Sequence, residues 1–355
     1  MAFIIALILA LLAQTLAAIF ALRLNWMYYA QRAWLFISGA AIIMALLRLV
    51  SLLDAWHQPG DVREDYLLWT ETLASLTISL LMLAGMYLIE PLFRQIKEAQ
   101  ELLKRENRQL TSAMQATAAE MELARNIQQG LLPQQPPELP AFDIAGASRP
   151  AEWTSGDYFD YFPLANGDLA VLVADASGHG TGPALLMSTT RASMRAFASS
   201  ASDAGELMTS VNRMLCKDIT DSRFVTAWVV AFDRDAANAC WVGAGQAAWI
   251  CRMTGQSVEL SPEHPPLGTA GSQKLTAQPL PAFAKGDILL SITDGILETE
   301  DAQGKMLGIE PVLETIRQNQ TDTADQIVRA IFSLAGEFTA GPQRDDYTVV
   351  VAKAI

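Results

Sequence analysis

Cysteine and histidine are scarce in this chain, three of each in 355 residues. Cys216, Cys240 and Cys251 show neither a Cys-x-x-Cys pair nor a Cys/His spacing. That excludes a zinc module and a disulfide framework, and the three read as buried thiols of a reducing compartment. An excess of positive charge is also missing: 25 Lys and Arg stand against 38 Asp and Glu, a formal net charge of -13. Residues 1–93 hold four Lys/Arg and six Asp/Glu, so -2 falls there and -11 on residues 94–355. So acidic a polar part repels polyanions, and nucleic acid is not an expected partner. No charged side chain precedes Arg23, and residues 92–130 contain no proline and no glycine before Gly130.

What the chain has in abundance is apolar residues, 51% of the total, with the excess near the N-terminus. It falls in three segments, about residues 1–22, 34–53 and 66–89, each long enough to span a bilayer. A cleaved signal peptide would want a basic stretch ahead of its apolar core, so the first segment is read as a retained helix. Arg23 and Arg32 lie in the first connection, and Asp54, Asp61, Glu64 and Asp65 make the second acidic. Arg94, Lys97, Lys104, Arg105 and Arg108 come after the third span. The positive-inside rule then predicts a multi-pass protein of the cell membrane, in contact with lipid, with its N-terminus outside and its C-terminal part in the cytoplasm. Trp26, Tyr28, Tyr29 and Trp34 would form an inner aromatic belt, and Trp56 and Trp69 an outer one. Arg48 and Glu71 intrude on the spans at similar depth. Either each snorkels separately to the headgroups, or they pair and tie the second span to the third.

Residues 94–133 form a connector. Its charged, Gln-, Glu- and Ala-rich sequence reads as one helix leaving the membrane. Ile96, Leu103 and Leu110 keep a seven-residue spacing, which then slips by four to Met114 and Met121. Such a stutter locally unwinds a coiled coil. With Glu106 and Thr117 on the seam, two readings stand: a weak parallel coil that makes the chain a homodimer, or a solvated single helix. The helix ends at Gly130-Leu131-Leu132-Pro133, and Pro136, Pro137 and Pro140 stiffen the linker beyond it.

From residue 141 to 355 the pattern is that of one folded domain. Strands are predicted at Phe142–Ala147, Leu169–Ala174, Phe224–Phe232, Ala239–Val242, Ala247–Met253, Ile288–Ile292 and Tyr347–Ala352. Helices are predicted at about Gly182–Phe197, Ala204–Lys217, Glu310–Gln318 and Thr323–Gly336. Helices grouped between runs of strands argue for an α+β layered domain.

Four aspartate motifs punctuate this domain: Gly156-Asp157-Tyr158-Phe159-Asp160, Asp175-Ala176-Ser177-Gly178-His179-Gly180, Thr293-Asp294-Gly295 and Arg344-Asp345-Asp346-Tyr347-Thr348. Two sit at the exits of apolar runs and a third just before one. Acids at the ends of buried strands can meet at one edge of a sheet, where they repel one another unless a cation neutralises them. Hard oxygen ligands without His or Cys suit Mg²⁺ or Mn²⁺ over zinc. Two rival readings of the glycine-rich turn fail. No Lys-Ser/Thr comes after it for a Walker A loop, and Pro183 stands where a dinucleotide fingerprint needs glycine. The Gly-x-Ser-x-Gly elbow that a nucleophilic Ser177 would need is absent.

Taken in order, these motifs resemble the bacterial SpoIIE/RsbU branch of the PPM (PP2C-like) serine/threonine phosphatases. The helix Ala124-Arg125-Asn126-Ile127-Gln128-Gln129-Gly130-Leu131-Leu132-Pro133 and the run Gly286-Asp287-Ile288-Leu289-Leu290 share in the resemblance, which covers about residues 120–355. It implies a PP2C-like β-sandwich flanked by helices (αββα), with two Mn²⁺ or Mg²⁺ ions at one end. It implies metal ligation by Asp157, Asp175, Asp294 and Asp345 and by the Ala176 carbonyl, with Asp175 bridging, and hydrolysis by direct attack of water. It implies as substrate a phosphorylated regulatory protein, such as a STAS-type anti-sigma-factor antagonist. Ser155 stands where a glycine is usual, and Gln246 where a histidine often is. His179 lies four residues after Asp175, so the general-acid role of a histidine two residues after does not transfer. The roles of His179, Asp160 and Asp346 stay open. The competing class is a non-catalytic membrane scaffold that holds a partner on the same surface.

Overall fold

The computed structural model describes residues 2–27, 32–57, 66–233 and 238–355. Tyr28, Tyr29 and the acidic connection from Asp61 to Asp65 lie outside these residues. The chain divides into two compact units, Met1–Gln115 and Ala116–Ile355. The first is built from helices α1 (Ala2–Met27), α2 (Arg32–His57) and the first part of α3 (Tyr66–Leu131). All three are long and apolar enough to cross a membrane. Their contacts bury Ala17, Ala21, Leu24 and Met86. Polar groups also turn inward, and the Gln14 amide donates to Ser75 Oγ at 2.9 Å.

Two points of this unit go beyond the sequence reading. The sequence separates a span ending near residue 89 from a helix starting at 92, whereas α3 runs unbroken through Pro91. Proline removes one backbone hydrogen bond, but the strong helix formers on its C-terminal side carry the helix on. Arg48 does reach α3, but its Nε donates to Ser75 Oγ at 3.0 Å and its Nη2 to the Glu71 carbonyl at 3.1 Å. Among the described residues no ion pair joins it to the Glu71 carboxylate.

The second unit has two five-stranded antiparallel sheets. One runs in the order β1 (Phe142–Arg149), β10 (Tyr347–Ala354), β9 (Ile288–Ile292), β6 (Ala248–Cys251), β7 (Ser257–Leu260). The other runs β2 (Asp157–Pro163), β3 (Leu169–Ala176), β4 (Val225–Phe232), β5 (Ala239–Ala244), β8 (Gln278–Pro279). Side chains alternate faces along a strand, and here both faces are apolar. Val171 and Val173 of β3 meet Trp228 and Val230 of β4 and Val350 of β10 in the core between the sheets. Leu172, Ala174 and Val229 face outward under α4 (Thr181–Ala198) and α5 (Ala204–Asp218). Val349 and Val351 face α7 (Ile309–Gln318) and α8 (Ala324–Phe338) on the opposite side. The layers are therefore helix, sheet, sheet, helix, the α+β sandwich expected from the sequence. A single-turn helix, α6 (Asp294–Leu297), comes directly after β9.

Candidate metal centre

Each acid motif lies at a strand end, and the register brings the ends together. Asp157 opens β2, and Asp175 lies directly across from it near the end of β3. Antiparallel pairing of β9 with β10 matches Ile292 to Val349, so the exit of one strand meets the entry of the other. This places Asp294 at the first turn after β9 and Asp345 just before β10. Hydrogen bonds then cross from one sheet to the other. Thr293 Oγ1 donates to Asp157 Oδ2 at 2.8 Å and accepts from Thr348 N–H at 3.0 Å. The Gly156 and Ala151 N–H groups donate to the two oxygens of Asp346, both at 2.8 Å.

Two glycines permit the approach. A Cβ on Gly156 would lie 2.9 Å from the Ala176 carbonyl oxygen and 3.2 Å from Asp175 Oδ1, so both oxygens crowd this one position. A Cβ on Gly295 would run into the Asp346 carbonyl. Only a residue without a side chain lets the two backbones meet there.

The electrostatics have one sign. Burial raises the Asp157 carboxyl well above its ordinary value, and the charges of Asp175 and Asp346 add to the rise. Asp175 is pushed up to about 7, by burial first and then by Asp294 and Asp345. Asp294 is raised by burial and Glu298. Asp345 is raised by burial, against the opposing pull of the Asp346 N–H and His179. Among the described residues none of these four acids is matched to a Lys or Arg. Nor do any three His, Cys, Asp or Glu side chains already form a closed coordination shell. Like charges this close are held together only by a shared proton or by a cation between them. An all-oxygen, uncompensated and partly buried donor set fits a hard divalent ion.

The remaining acids have other work. Asp160 is fully buried away from this cluster, where Arg195 of α4 holds it through two bonds of 2.6 and 2.7 Å. The Tyr158 hydroxyl and the Tyr161 N–H, at 2.8 Å, complete its shell. It pins α4 to β2. Asp346 pins the 151–156 turn. His179 is exposed beside Asp345, and Gln246 is buried with its Nε2 on the Ile292 carbonyl at 3.3 Å.

Reading the sequence did not single out Thr293, Ser155 or Gln128 as groups that aim a ligand. Thr293 lies between the apolar strand β9 and Asp294, at the N-cap of α6, a position that a sequence can flag. Ser155 stands where a glycine is usual, and its Oγ accepts the Asp157 N–H at 3.0 Å. Gln128 pairs with the Ser155 backbone, a contact across 27 residues that no local pattern announces.

The family model described as Stage II sporulation protein E (SpoIIE) matches residues 165–355, more than half of the chain. The chain is 24% identical over 249 residues to phosphoserine phosphatase RsbU of Bacillus subtilis (strain 168), covering 70% of this chain and 74% of that protein. Its fold is similar to the SiaA-PP2C domain of Pseudomonas aeruginosa, with a TM-score of 0.61 and 21% identity over 68% of this chain and 99% of that one. It is also similar to the PP2C phosphatase domain, with a fragment of the regulatory domain, of the cell fate determinant SpoIIE from Bacillus subtilis. There the TM-score is 0.54 and the identity 18%, over 61% of this chain and 64% of that one.

Proposed function

The chain belongs to the SpoIIE family, and on that premise we propose that it is a metal-dependent protein serine/threonine phosphatase anchored in a membrane. The observation that carries the reading is the meeting of Asp157, Asp175, Asp294 and Asp345 from four strand ends, with no Lys or Arg matched to them among the described residues. These four, with the Ala176 carbonyl, are the groups that would hold two Mg²⁺ or Mn²⁺ ions. Bound there, such ions would supply Lewis-acid polarisation of a phosphoryl group and a water acidic enough to attack it near neutral pH. The reaction is hydrolysis of a phosphomonoester. A water oxygen bonds to phosphorus, the bond from phosphorus to the serine or threonine oxygen breaks, and that oxygen leaves with a proton. The chain's own residues orient the ligands: Thr293 holds one Asp157 oxygen, Ser155 fixes its backbone, and Asp346 fixes the turn before it.

The substrate is a phosphorylated regulatory protein, of which a STAS-type anti-sigma-factor antagonist is the best candidate. The relative named phosphoserine phosphatase supports a phosphoserine group as the target. The three apolar helices anchor the enzyme with its N-terminus outside and the catalytic domain in the cytoplasm. Helix α3 carries Ile96, Leu103, Leu110 and Met114 exposed, a stripe suited to pairing with a second copy and so to gating the domain through the connector. The test is release of phosphate from a phosphoserine protein by the full chain in lipid nanodiscs. Release should need Mn²⁺ or Mg²⁺ and stop on chelation. Turnover that survives Asp175→Asn sinks the reading, and partner binding without turnover, indifferent to chelation, makes the protein a scaffold instead.

A further inference from the structure

The C-terminal end of α3 touches the metal centre through one side chain. Gln128 Nε2 donates to the Ser155 carbonyl at 2.7 Å, and Gln128 Oε1 accepts the Ser155 N–H at 2.8 Å. The amide thus uses both its donor and its acceptor on one residue, as a neighbouring β-strand would. Ser155 is buried, and its Oγ accepts the N–H of Asp157 at 3.0 Å. Gly156, between them, is tied to Asp346. Helix α3, Ser155 and Asp157 therefore form one chain of hydrogen bonds. No comparable side chain of α3 reaches the other acids among the bonds of the described residues.

The same end of α3 is held at two further points. The Leu131 carbonyl accepts from Arg191 Nε of α4 at 3.1 Å, and Leu132 packs into the domain core. These contacts seat the helix, and only the Gln128 contact leads to a candidate ligand. Asp175 is different, because it lies within β3 and pairs with strands on both sides. A small axial or rotational shift of α3 would pull on Ser155 and move Asp157, while β3 keeps Asp175 in place.

We propose that Gln128 is a positioning residue for Asp157: it sets how tightly the domain binds the ion that Asp157 helps to hold, and so links the placement of α3 to metal occupancy. This rests on the metal-dependent reading of the site. A partner that orients a metal ligand is worth about 10- to 100-fold in metal affinity when it is lost.

The experiment is a calorimetric titration of Mn²⁺ into the full chain in nanodiscs without substrate, for wild type and Gln128→Met. Methionine keeps the length of the side chain and removes both hydrogen bonds. The expected result is Mn²⁺ binding weakened about tenfold, with kcat at saturating Mn²⁺ unchanged and the unfolding midpoint of the metal-free domain close to wild type. If Gln128→Met does not fold, Ser155→Ala carries the test. It leaves the amide pairing intact, removes the bond to the Asp157 N–H, and should weaken Mn²⁺ binding in the same direction. Unchanged Mn²⁺ affinity in a folded variant overturns the proposal, and so does a fall in kcat at saturating Mn²⁺ with affinity intact. Binding that weakens as expected in a protein that releases no phosphate would overturn the enzyme reading and leave this one standing.

Discussion

The two units use the same residue types in opposite ways. In α1 the large side chains Leu12, Leu16 and Ile19 point outward with 58–64% of their surface exposed, while Ala10, Ala17, Ala21 and Gln14 are buried. In the C-terminal domain Val173, Val229 and Val351 are fully buried, and large exposed apolar side chains are few, Trp153, Leu185 and Met253 among them. Water drives large apolar groups inward, so the second pattern is that of a domain folded in water. The first pattern, with small residues and an interhelical hydrogen bond inside beside Leu7 and Leu24, is compatible with helices that cross a membrane, where lipid takes the outward leucines. The placement of the same amino acids thus distinguishes the two units. The two units should then respond separately to perturbation.

The largest effect is expected at the metal centre. Asp175→Asn removes one charge from the cluster and one oxygen ligand from the candidate site. Metal-dependent turnover should fall to background, while detergent is still needed to extract the protein. A single phosphate-release assay with a parallel membrane extraction checks both halves. Retention of turnover, or release of the protein into buffer, would break the separation between the units.

Next in size is the pair of half-exposed Arg195 with fully buried Asp160, which pins α4 to β2. Arg195→Met leaves Asp160 buried with only the Tyr158 hydroxyl and the Tyr161 N–H. Breaking a fully buried pair on one side costs about 3 kcal/mol, and solvent at Arg195 brings the loss here to about 1–3 kcal/mol. Urea unfolding followed in the C-terminal domain should show that loss, with the helical signal of the membrane unit unmoved.

Much of this domain was legible in the sequence because its long strands are apolar on both faces. β3, β4, β9 and β10 appear within about two residues of the expected bounds, as do all four long helices. β2 was not legible. Its sequence, Asp-Tyr-Phe-Asp-Tyr-Phe-Pro, places acids where a buried strand should have none, and only the distant Arg195 and Thr293 make Asp160 and Asp157 tolerable there. β7 and β8 have no pattern of their own and exist by pairing with β6 and β5. At the site, the acids could be named from their motifs. The bonds that aim them, from Thr293, Ser155, Asp346 and Gln128, join residues far apart in sequence and needed the fold.

A smaller effect concerns pH in the metal-free domain. A carboxyl whose pKa is raised on folding holds its proton more tightly when folded. Its stabilising share is therefore full below the ordinary value of 3.8 and is lost as pH rises through about 7 for Asp175. Asp287, lowered on folding by its bonds to Ala284, Arg252 and Met253 against the cost of burial, works in the opposite direction: its share is lost as pH falls. The net slope is reduced by this opposition, but the share that belongs to the cluster can be isolated. Thermal melts from about pH 4 to about pH 8, which bracket the rise from 3.8 to about 7 at Asp175, should show a widening gap between Mn²⁺-loaded and metal-free protein as pH rises. A constant gap would mean that the cluster does not titrate as a unit.

The smallest effect belongs to the membrane unit and tests its polar interior. Arg48 ties α2 to α3 through Ser75 Oγ and the backbone carbonyl of Glu71. Ser75 Oγ also accepts from Gln14, so one hydroxyl joins all three helices. Interhelical hydrogen bonds of this kind are worth about 0.6 kcal/mol on average and about 1.7 at most. Arg48→Ala should therefore lower the stability of the unit in bicelles by an amount in that range and leave unfolding of the C-terminal domain unchanged. Residues that share a hydrogen bond couple, and residues that do not are additive. Arg48→Ala should be non-additive with Ser75→Ala and additive with Glu71→Ala, because a backbone carbonyl survives the second substitution. Coupling to Glu71→Ala would restore a carboxylate ion pair and move the polar link from the hydroxyl to the charge.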